Sequence, residues 1–273
     1  MDPYKILDHF ELRLAAIVAS ICEIVDLESP SRDAGRSRKV VDWIERQAID
    51  TGVAMSVERI AAEDGDHLII RTFPGPGQQT LLLGHTDTVH AVGTPNPTRT
   101  DGDRVYGRGT FDMKANIPLV LEALRLFAES GLRPSGPVTI LLSCDEEVGS
   151  FTGRPIVERE AAISKRCFVL EPSAGGKVKT GRKGTGIYNL RVHGVPANAG
   201  LEPEKGVNSI TELSRHIDEI HAVSRPDIGT TVNVTTVHGG TATNVIPALA
   251  ECEIDVRFSL MAEGERVDTE LRS

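Results

Sequence analysis

No uninterrupted apolar run in this sequence approaches the roughly 18 to 20 residues of a membrane-spanning helix, which argues against a membrane protein. The N-terminus has no basic region followed by an apolar one, so no secretory signal is visible. Cysteine is scarce: Cys22, Cys144, Cys167 and Cys252 are widely spread and form no CxxC pair. They read as reduced, mostly buried thiols of a cytoplasmic protein. Basic residues are outnumbered, 30 against 39 acidic, for a formal net charge of -9. No Lys/Arg stripe is present to neutralise phosphates, which argues against a nucleic-acid partner. No GxSxG elbow occurs, which makes a serine hydrolase a poor choice, and no HExxH, which excludes the single-zinc protease whose ligands lie on one helix.

What remains is a globular composition, with 40% hydrophobic and 25% charged residues over 273 positions. That length supplies core for at least one domain and suggests two. Phe10, Leu14, Ile17, Val18, Ile21, Ile24 and Val25 follow three-and-four spacing and predict a long N-terminal helix, with a second over Ala34 to Thr51. Strands are expected at His67 to Phe73, Thr80 to Leu83, Val138 to Leu142 and Phe168 to Leu170. Leu119 to Leu126 belongs to a helix that tolerates Pro118 in its first turn. Strands alternating with helices predict an α/β layer structure with a mainly parallel sheet, and the last two strands read as buried. After about Lys177 the pattern becomes β-α-β-β: Ile187, Leu190 and Val192, then a helix from Val207 to Ile220, then Thr230 to Val237 and Ile246 to Phe258. A further helix begins near Gly264. The expected domains are therefore 1–177 and 178–273.

Four acidic or histidine-bearing clusters each follow an apolar strand. In Leu81-Leu-Leu-Gly-His85-Thr-Asp87, residues i and i+2 of an extended segment point the same way, so Asp87 can approach the His85 ring. A carboxylate on the second ring nitrogen is a common partner of a metal-bound imidazole, although such a tripeptide also suits a solvated strand end. Asp112, in Tyr106-Gly-Arg-Gly-Thr-Phe-Asp112-Met-Lys, is a second candidate, with a helix N-cap as the competing role. The run Asp145-Glu146-Glu147 follows a buried strand with no Lys or Arg inside it; a bound cation would compensate, and a solvated loop is the alternative. Glu171, after Phe168-Val-Leu, is the fourth. Open α/β sheets bind ligands at the carboxyl ends of their strands, so four clusters there point jointly to a metal centre. One His with several carboxylates suits Zn²⁺ or a similar divalent ion.

At this point the sequence resembles the M20 metallopeptidase family of acetylornithine and succinyl-diaminopimelate deacylases, aminoacylases and glutamate carboxypeptidases. The stretches that carry the resemblance are LLLGHTDTV, YGRGTFDMK, SCDEEVGSFTGR, FVLEPS, GRKGTG, AGLEPEKGVNSI and GGTATNVIPALAECEIDVRF, in the family's order. The resemblance implies a mainly parallel-sheet catalytic domain carrying two zinc ions, with an inserted α+β lid that mediates homodimerisation. It implies that His85 and Glu171 hold one zinc, that Glu147 holds the second and that Asp112 bridges them. Asp87 would orient His85, and Glu146 would be the general base for hydrolysis of an amide bond. The substrate would be a small N-acyl amino acid or a peptide with a C-terminal glutamate-like residue. Asn244 matches a position associated with the substrate carboxylate, while also suiting a turn after Gly239-Gly240.

Two departures from the family pattern stand out. Ala197-Asn198-Ala199-Gly200 replaces Ala-His-Ala-Gly, in which the His stabilises the oxyanion of the partner subunit's reaction. Asn198 can donate a hydrogen bond but carries no charge, and losing one oxyanion donor costs about 10² to 10³ in rate. The family also completes its lid and returns to the catalytic domain with a last zinc-binding His and a substrate-gripping Arg. This sequence reaches Ser273 first. The expectation is a C-terminally truncated chain, with both domains incomplete and the second zinc site lacking its His. Such a chain would be either an amidohydrolase or an impaired fragment that binds metal and dimerises. Of the remaining histidines, His9 and His67 read as surface residues.

Overall fold

The computed structural model describes residues 3–273, which fall into two compact units, one through Ser173 and the other Ala174–Ser273. The first contains α1 (Pro3–Asp26), α2 (Ala34–Asp50), β1 (Ala54–Ala62), β2 (Gly65–Thr72), β3 (Gln79–His85), β4 (Arg99–Asp101), β5 (Arg104–Tyr106), α3 (Asn116–Ser130), β6 (Val138–Ser143), α4 (Arg154–Ala162) and β7 (Ser164–Val169). Its main sheet has the order β1-β2-β6-β3-β7, and β4 pairs with β5 alone.

The sheet is mixed rather than mainly parallel. β3 runs parallel to β6 and to β7, but β2 is antiparallel to both β1 and β6. The physical reason is the link from β1 to β2. The tight turn at Glu63 and Asp64 makes a hairpin, whereas parallel neighbours need a crossover of a dozen residues or more. Strand β1 escaped the sequence reading because its apolar residues, Met55, Val57 and Ile60 among them, follow no strict alternation.

Alternation in the central strands divides the core between the two faces. Leu68 and Ile70 of β2, with Ile140 and Leu142 of β6, pack under Ile24, Val40, Val41, Ile44 and Leu121 of the first three helices. Ile69, Leu81 and Leu141 point the other way and meet Ile156 of α4. Along α1, Ile17, Ile21, Ile24 and Val25 are buried as their spacing predicts, while Leu14 is exposed. Pro118 is buried in the first turn of α3. Strand β7 departs from its expected burial: it lies at the sheet edge, and Phe168 and Val169 are each 54% exposed.

The second unit contains β8 (Gly184–His193), α5 (Ser209–Ala222), β9 (Thr231–Gly239), β10 (Leu249–Phe258) and α6 (Met261–Arg272). It is an antiparallel sheet of order β8-β10-β9, in the β-α-β-β succession read from the sequence. Ala250, Cys252, Ile254 and Val256 of β10 alternate inward against Leu213 and Ile220 of α5 and Val267 of α6. Tyr188, Leu190 and Val192 join that core, and Ile187, on the opposite face, is exposed. The cysteines are all free, with Cys144 and Cys252 buried and Cys167 exposed. No helix among the described residues is long and apolar enough to cross a membrane.

Candidate metal centre

His85 is the last residue of β3, and its ring is 1% exposed. Gly84 before it is required by packing: a Cβ there would lie 2.7 Å from Met113 Sδ and 3.2 Å from Leu142 Cδ2. The His85 backbone N–H donates to that same sulfur at 3.2 Å. Two residues on, Asp87 is equally buried. Its Oδ1 lies 3.4 Å from His85 Nδ1, which also contacts the Asp87 carbonyl oxygen at 3.0 Å. The other ring nitrogen, Nε2, faces Asp112 Oδ1 at 3.1 Å, Glu171 Oε1 at 3.2 Å and Glu146 Oε2 at 4.0 Å.

Asp112 sits in the bend Thr110–Lys114, with extended backbone angles (φ -121°, ψ 99°). Helix α3 starts only at Asn116 behind Ala115, so Asp112 is not its N-cap. The bend is pinned from below by Lys114, whose buried ammonium donates to the Leu27 carbonyl at 2.6 Å. Burial lowers that lysine's pKa to about 8. Gly109, at the start of the bend, has φ +70°, a region that a side chain with Cβ rarely enters.

Glu146 and Glu147 open a short turn after β6 that ends at Gly149, where φ is +109°. Asp87 organises this turn as well as the imidazole. Its Oδ1 accepts from the Glu146 N–H and its Oδ2 from the Glu147 N–H, both at 3.1 Å, and Ser31 Oγ donates to Oδ2 at 2.7 Å. Asp145 turns the other way and is buried, its Oδ2 accepting from Thr152 N–H at 2.7 Å, Thr152 Oγ1 at 2.8 Å and Gly153 N–H at 3.2 Å. The three consecutive carboxylates of the sequence therefore do not act together. Asp145 belongs to the loop's interior, and Glu146 and Glu147 belong to the site.

Ligand atoms of His85, Glu146 and Glu171 lie within 4.8 Å of one another, and so do those of His85, Asp112 and Glu147. Two candidate metal clusters thus share one imidazole, and among the described residues neither contains a second. The electrostatics favour positive charge at this point. Burial alone would lower the His85 pKa, yet hydrogen bonds to Asp87 and Glu171 and the charges of Asp87 and Glu146 raise it to about 11. Burial and the neighbouring carboxylates raise Glu146 and Glu147 against the pull of His85. Asp87 is lowered, because bonds from His85 and Ser31 outweigh its burial. Imidazole and carboxylate donors gathered so closely suit a divalent ion such as Zn²⁺, which neutralises what a single proton on His85 only partly offsets. His85, Asp112, Glu146, Glu147 and Glu171 are thus brought together, with Asp87 behind them.

The two residues expected to meet substrate, Asn198 and Asn244, lie in the second unit. Asn198 Oδ1 accepts from Gly200 and Leu201 N–H at 2.9 and 3.0 Å, closing its own loop. The Asn244 carbonyl accepts from Ala199 N–H at 2.9 Å, so the two loops run side by side. The surface reading of His9 and His67 is corrected. His67 is fully buried on β2, and His9 packs against α3 with Nε2 3.0 Å from Glu122. β2 lies between β1 and β6, and its burial at His67 leaves that ring no route to water; sequence spacing alone did not mark β2 as central.

Residues 180–273 match the peptidase dimerisation domain family. The chain is 28% identical over 263 residues to carboxypeptidase G2 of Pseudomonas sp., covering 94% of this chain and 63% of that protein. It is 32% identical over 239 residues to a succinyl-diaminopimelate desuccinylase of Acidovorax ebreus, covering 82% of this chain and 57% of that one. The chain thus spans less than two thirds of the length of either relative. Among solved structures it resembles the aminopeptidase PepT of Bacillus cereus (TM-score 0.75, 23% identity, 94% of this chain and 69% of that one). It also resembles the M20 metallo-carboxypeptidase Sso-CP2 of Sulfolobus solfataricus (TM-score 0.72, 13% identity, 94% and 75%). These likenesses, with the clusters around His85, make the chain similar to M20-type deacylases and carboxypeptidases, and its residues 180–273 match the peptidase dimerisation domain family.

Proposed function

We propose that this chain serves zinc-dependent hydrolysis of an amide bond, releasing an amino acid from a small N-acyl amino acid or a C-terminal glutamate-like residue from a peptide. The observation that carries the reading is the division of the His85 ring, with Nδ1 held by buried Asp87 and Nε2 turned to Asp112 and Glu171. That is the arrangement a metal-ligating histidine needs to keep one tautomer and one orientation. His85 and Glu171 would hold one ion and Glu147 the second, with Asp112 between them. Zinc, when bound, supplies Lewis acidity and lowers the pKa of the attacking water.

Glu146 takes the base role. Its carboxylate reaches the site from the turn that Asp87 fixes, and burial with nearby negative charge raises its pKa, which favours taking up a proton. The proton leaves the water as oxygen attacks the carbonyl carbon, resides on the Glu146 carboxylate, and passes to the amide nitrogen as the C–N bond breaks. Asn198 and Asn244 are assigned to the substrate, and the second unit to pairing two copies of the chain.

The test combines metal analysis with turnover of an acyl-glutamate. Glu146→Ala should abolish hydrolysis while zinc content stays near wild type; full activity in that variant would remove the base assignment. Asp112→Ala should strip zinc, and unchanged zinc content would remove the bridge. A second reading, a metal-binding dimer without turnover, is favoured by the single imidazole shared between the clusters. Two tightly held zinc ions with hydrolysis support the enzyme; one weak ion with none supports the second reading.

A further inference from the structure

Behind the turn that carries Glu146 and Glu147 lies a polar chain, buried at Cys144, His67 and Asp145, that the proposed chemistry does not use. The Cys144 N–H points at His67 Nδ1 at 3.3 Å, and His67 Nε2 lies 2.9 Å from Thr152 Oγ1. The Thr152 hydroxyl in turn donates to Asp145 Oδ2 at 2.8 Å. The directions are forced in sequence. A backbone N–H can only donate, so Nδ1 accepts and the ring proton sits on Nε2. Thr152 must then accept from the ring and give its own proton to the carboxylate. Burial lowers the His67 pKa against the pull of Asp145, Asp66 and Asp87, which keeps the ring neutral.

This chain of bonds closes the loop from Asp145 to Gly153 onto β2, with Ser150 N–H also reaching the Asp145 carbonyl at 2.8 Å. Space around it is full: a Cβ on Gly153 would fall 2.7 Å from Asp145 Oδ1, 3.1 Å from Ser143 Cβ and 3.4 Å from His67 Cε1. Asp87 holds the Glu146 and Glu147 amides from one side. Asp145 anchors the same turn from the other, one residue before Glu146.

We propose that His67 and Thr152 are positioning residues for Glu146 and Glu147, acting through Asp145 to fix the turn in the register at which both side chains meet His85. The proposal rests on the metal-hydrolase reading for what the turn serves, but not for the coupling itself. Thr152→Val keeps shape and removes the relay, Thr152→Ser keeps the hydroxyl, and two measurements are made on the full chain. In the metal-free protein, hydrogen exchange at the Glu146 and Glu147 amides should speed about tenfold in Thr152→Val, while Ile140 and Leu142 in β6 keep wild-type rates. Zinc affinity, by competition with a chelating indicator, should fall about tenfold, within the range of outer-shell partners, and Thr152→Ser should restore both.

Unchanged exchange at Glu146 and Glu147 overturns the proposal, as does protection lost equally along β6, which marks a general structural role. Unchanged zinc affinity in Thr152→Val, when the wild type binds zinc, also overturns it. A wild type that binds no zinc defeats the hydrolase reading instead, and the exchange measurement then decides the coupling alone. Should Thr152→Val fail to fold, nitrogen NMR of wild-type His67 decides. The neutral tautomer protonated at Nε2 supports the relay, and the Nδ1-protonated one refutes it.

Discussion

Asp87 concentrates more of the site's geometry than any residue that faces the cluster directly. Its two carboxylate oxygens meet the His85 ring, two successive backbone amides and the Ser31 hydroxyl, all away from water. Replacing one oxygen by an amide nitrogen turns an acceptor into a donor that points at other donors. Asp87→Asn should therefore lower zinc affinity about 10- to 100-fold. It should also cost about 2 kcal/mol of stability, for the buried donors left unmet. Chelator competition and urea unfolding measure the two effects, and wild-type values in both would contradict the hub role. At this scale the sequence was generous. Spacing alone put Asp87 beside His85, and the apolar runs before His85, Glu146 and Glu171 marked all three as strand-end residues. It was silent on Asp145, because nothing in three consecutive acids says which one folds inward.

Among the elements, α4 and its anchor were not legible either. The helix Arg154–Ala162 has only a short apolar face, Ile156 and Val157, and it is held to the sheet by Glu160. That carboxylate is buried and accepts from both terminal nitrogens of Arg71, at 2.9 and 3.0 Å, and from Gln79 at 3.1 Å. The Arg71 bond foremost, with Gln79 assisting against burial, lowers its pKa from 4.5 to about 2. A carboxyl depressed in the folded state stabilises above its unfolded pKa and loses that contribution as pH falls through the folded value. The contribution here is about 1 to 3 kcal/mol, discounted because Arg71 is partly open to solvent. Wild type and Glu160→Gln should thus differ in urea midpoint at about pH 6 and converge only below about pH 2. An equal gap at both would show that Glu160 does not act through its charge. Sequence pattern found the long apolar elements and missed those made by a single ion pair or by an exposed hairpin strand.

For the whole molecule, two separate cores mean two separate accounts of stability. The second is small and depends on a few large side chains, Leu213, Ile220 and Val256 among them. Leu213→Ala should destabilise residues 174–273 by about 2 to 5 kcal/mol and weaken the proposed pairing of two copies in sedimentation experiments. Zinc affinity should hold, since every candidate ligand lies in the first unit. A matching loss of zinc in that variant would contradict the separation. The change from α/β to β-α-β-β was visible because a helix period and a strand period leave different marks. The mixed sheet was not, since strand direction depends on connections that pattern does not encode.

The sharing of His85 has a further consequence. A ring nitrogen has one lone pair, so Nε2 can be a first ligand to one cation at a time. Given to the first ion, it would leave Glu147 and Asp112 to hold a second without an imidazole and with a like charge beside it. Calorimetric titration with zinc should therefore give a biphasic isotherm, a strong first event followed by a weaker one, the signature of negative cooperativity rather than of twin independent sites.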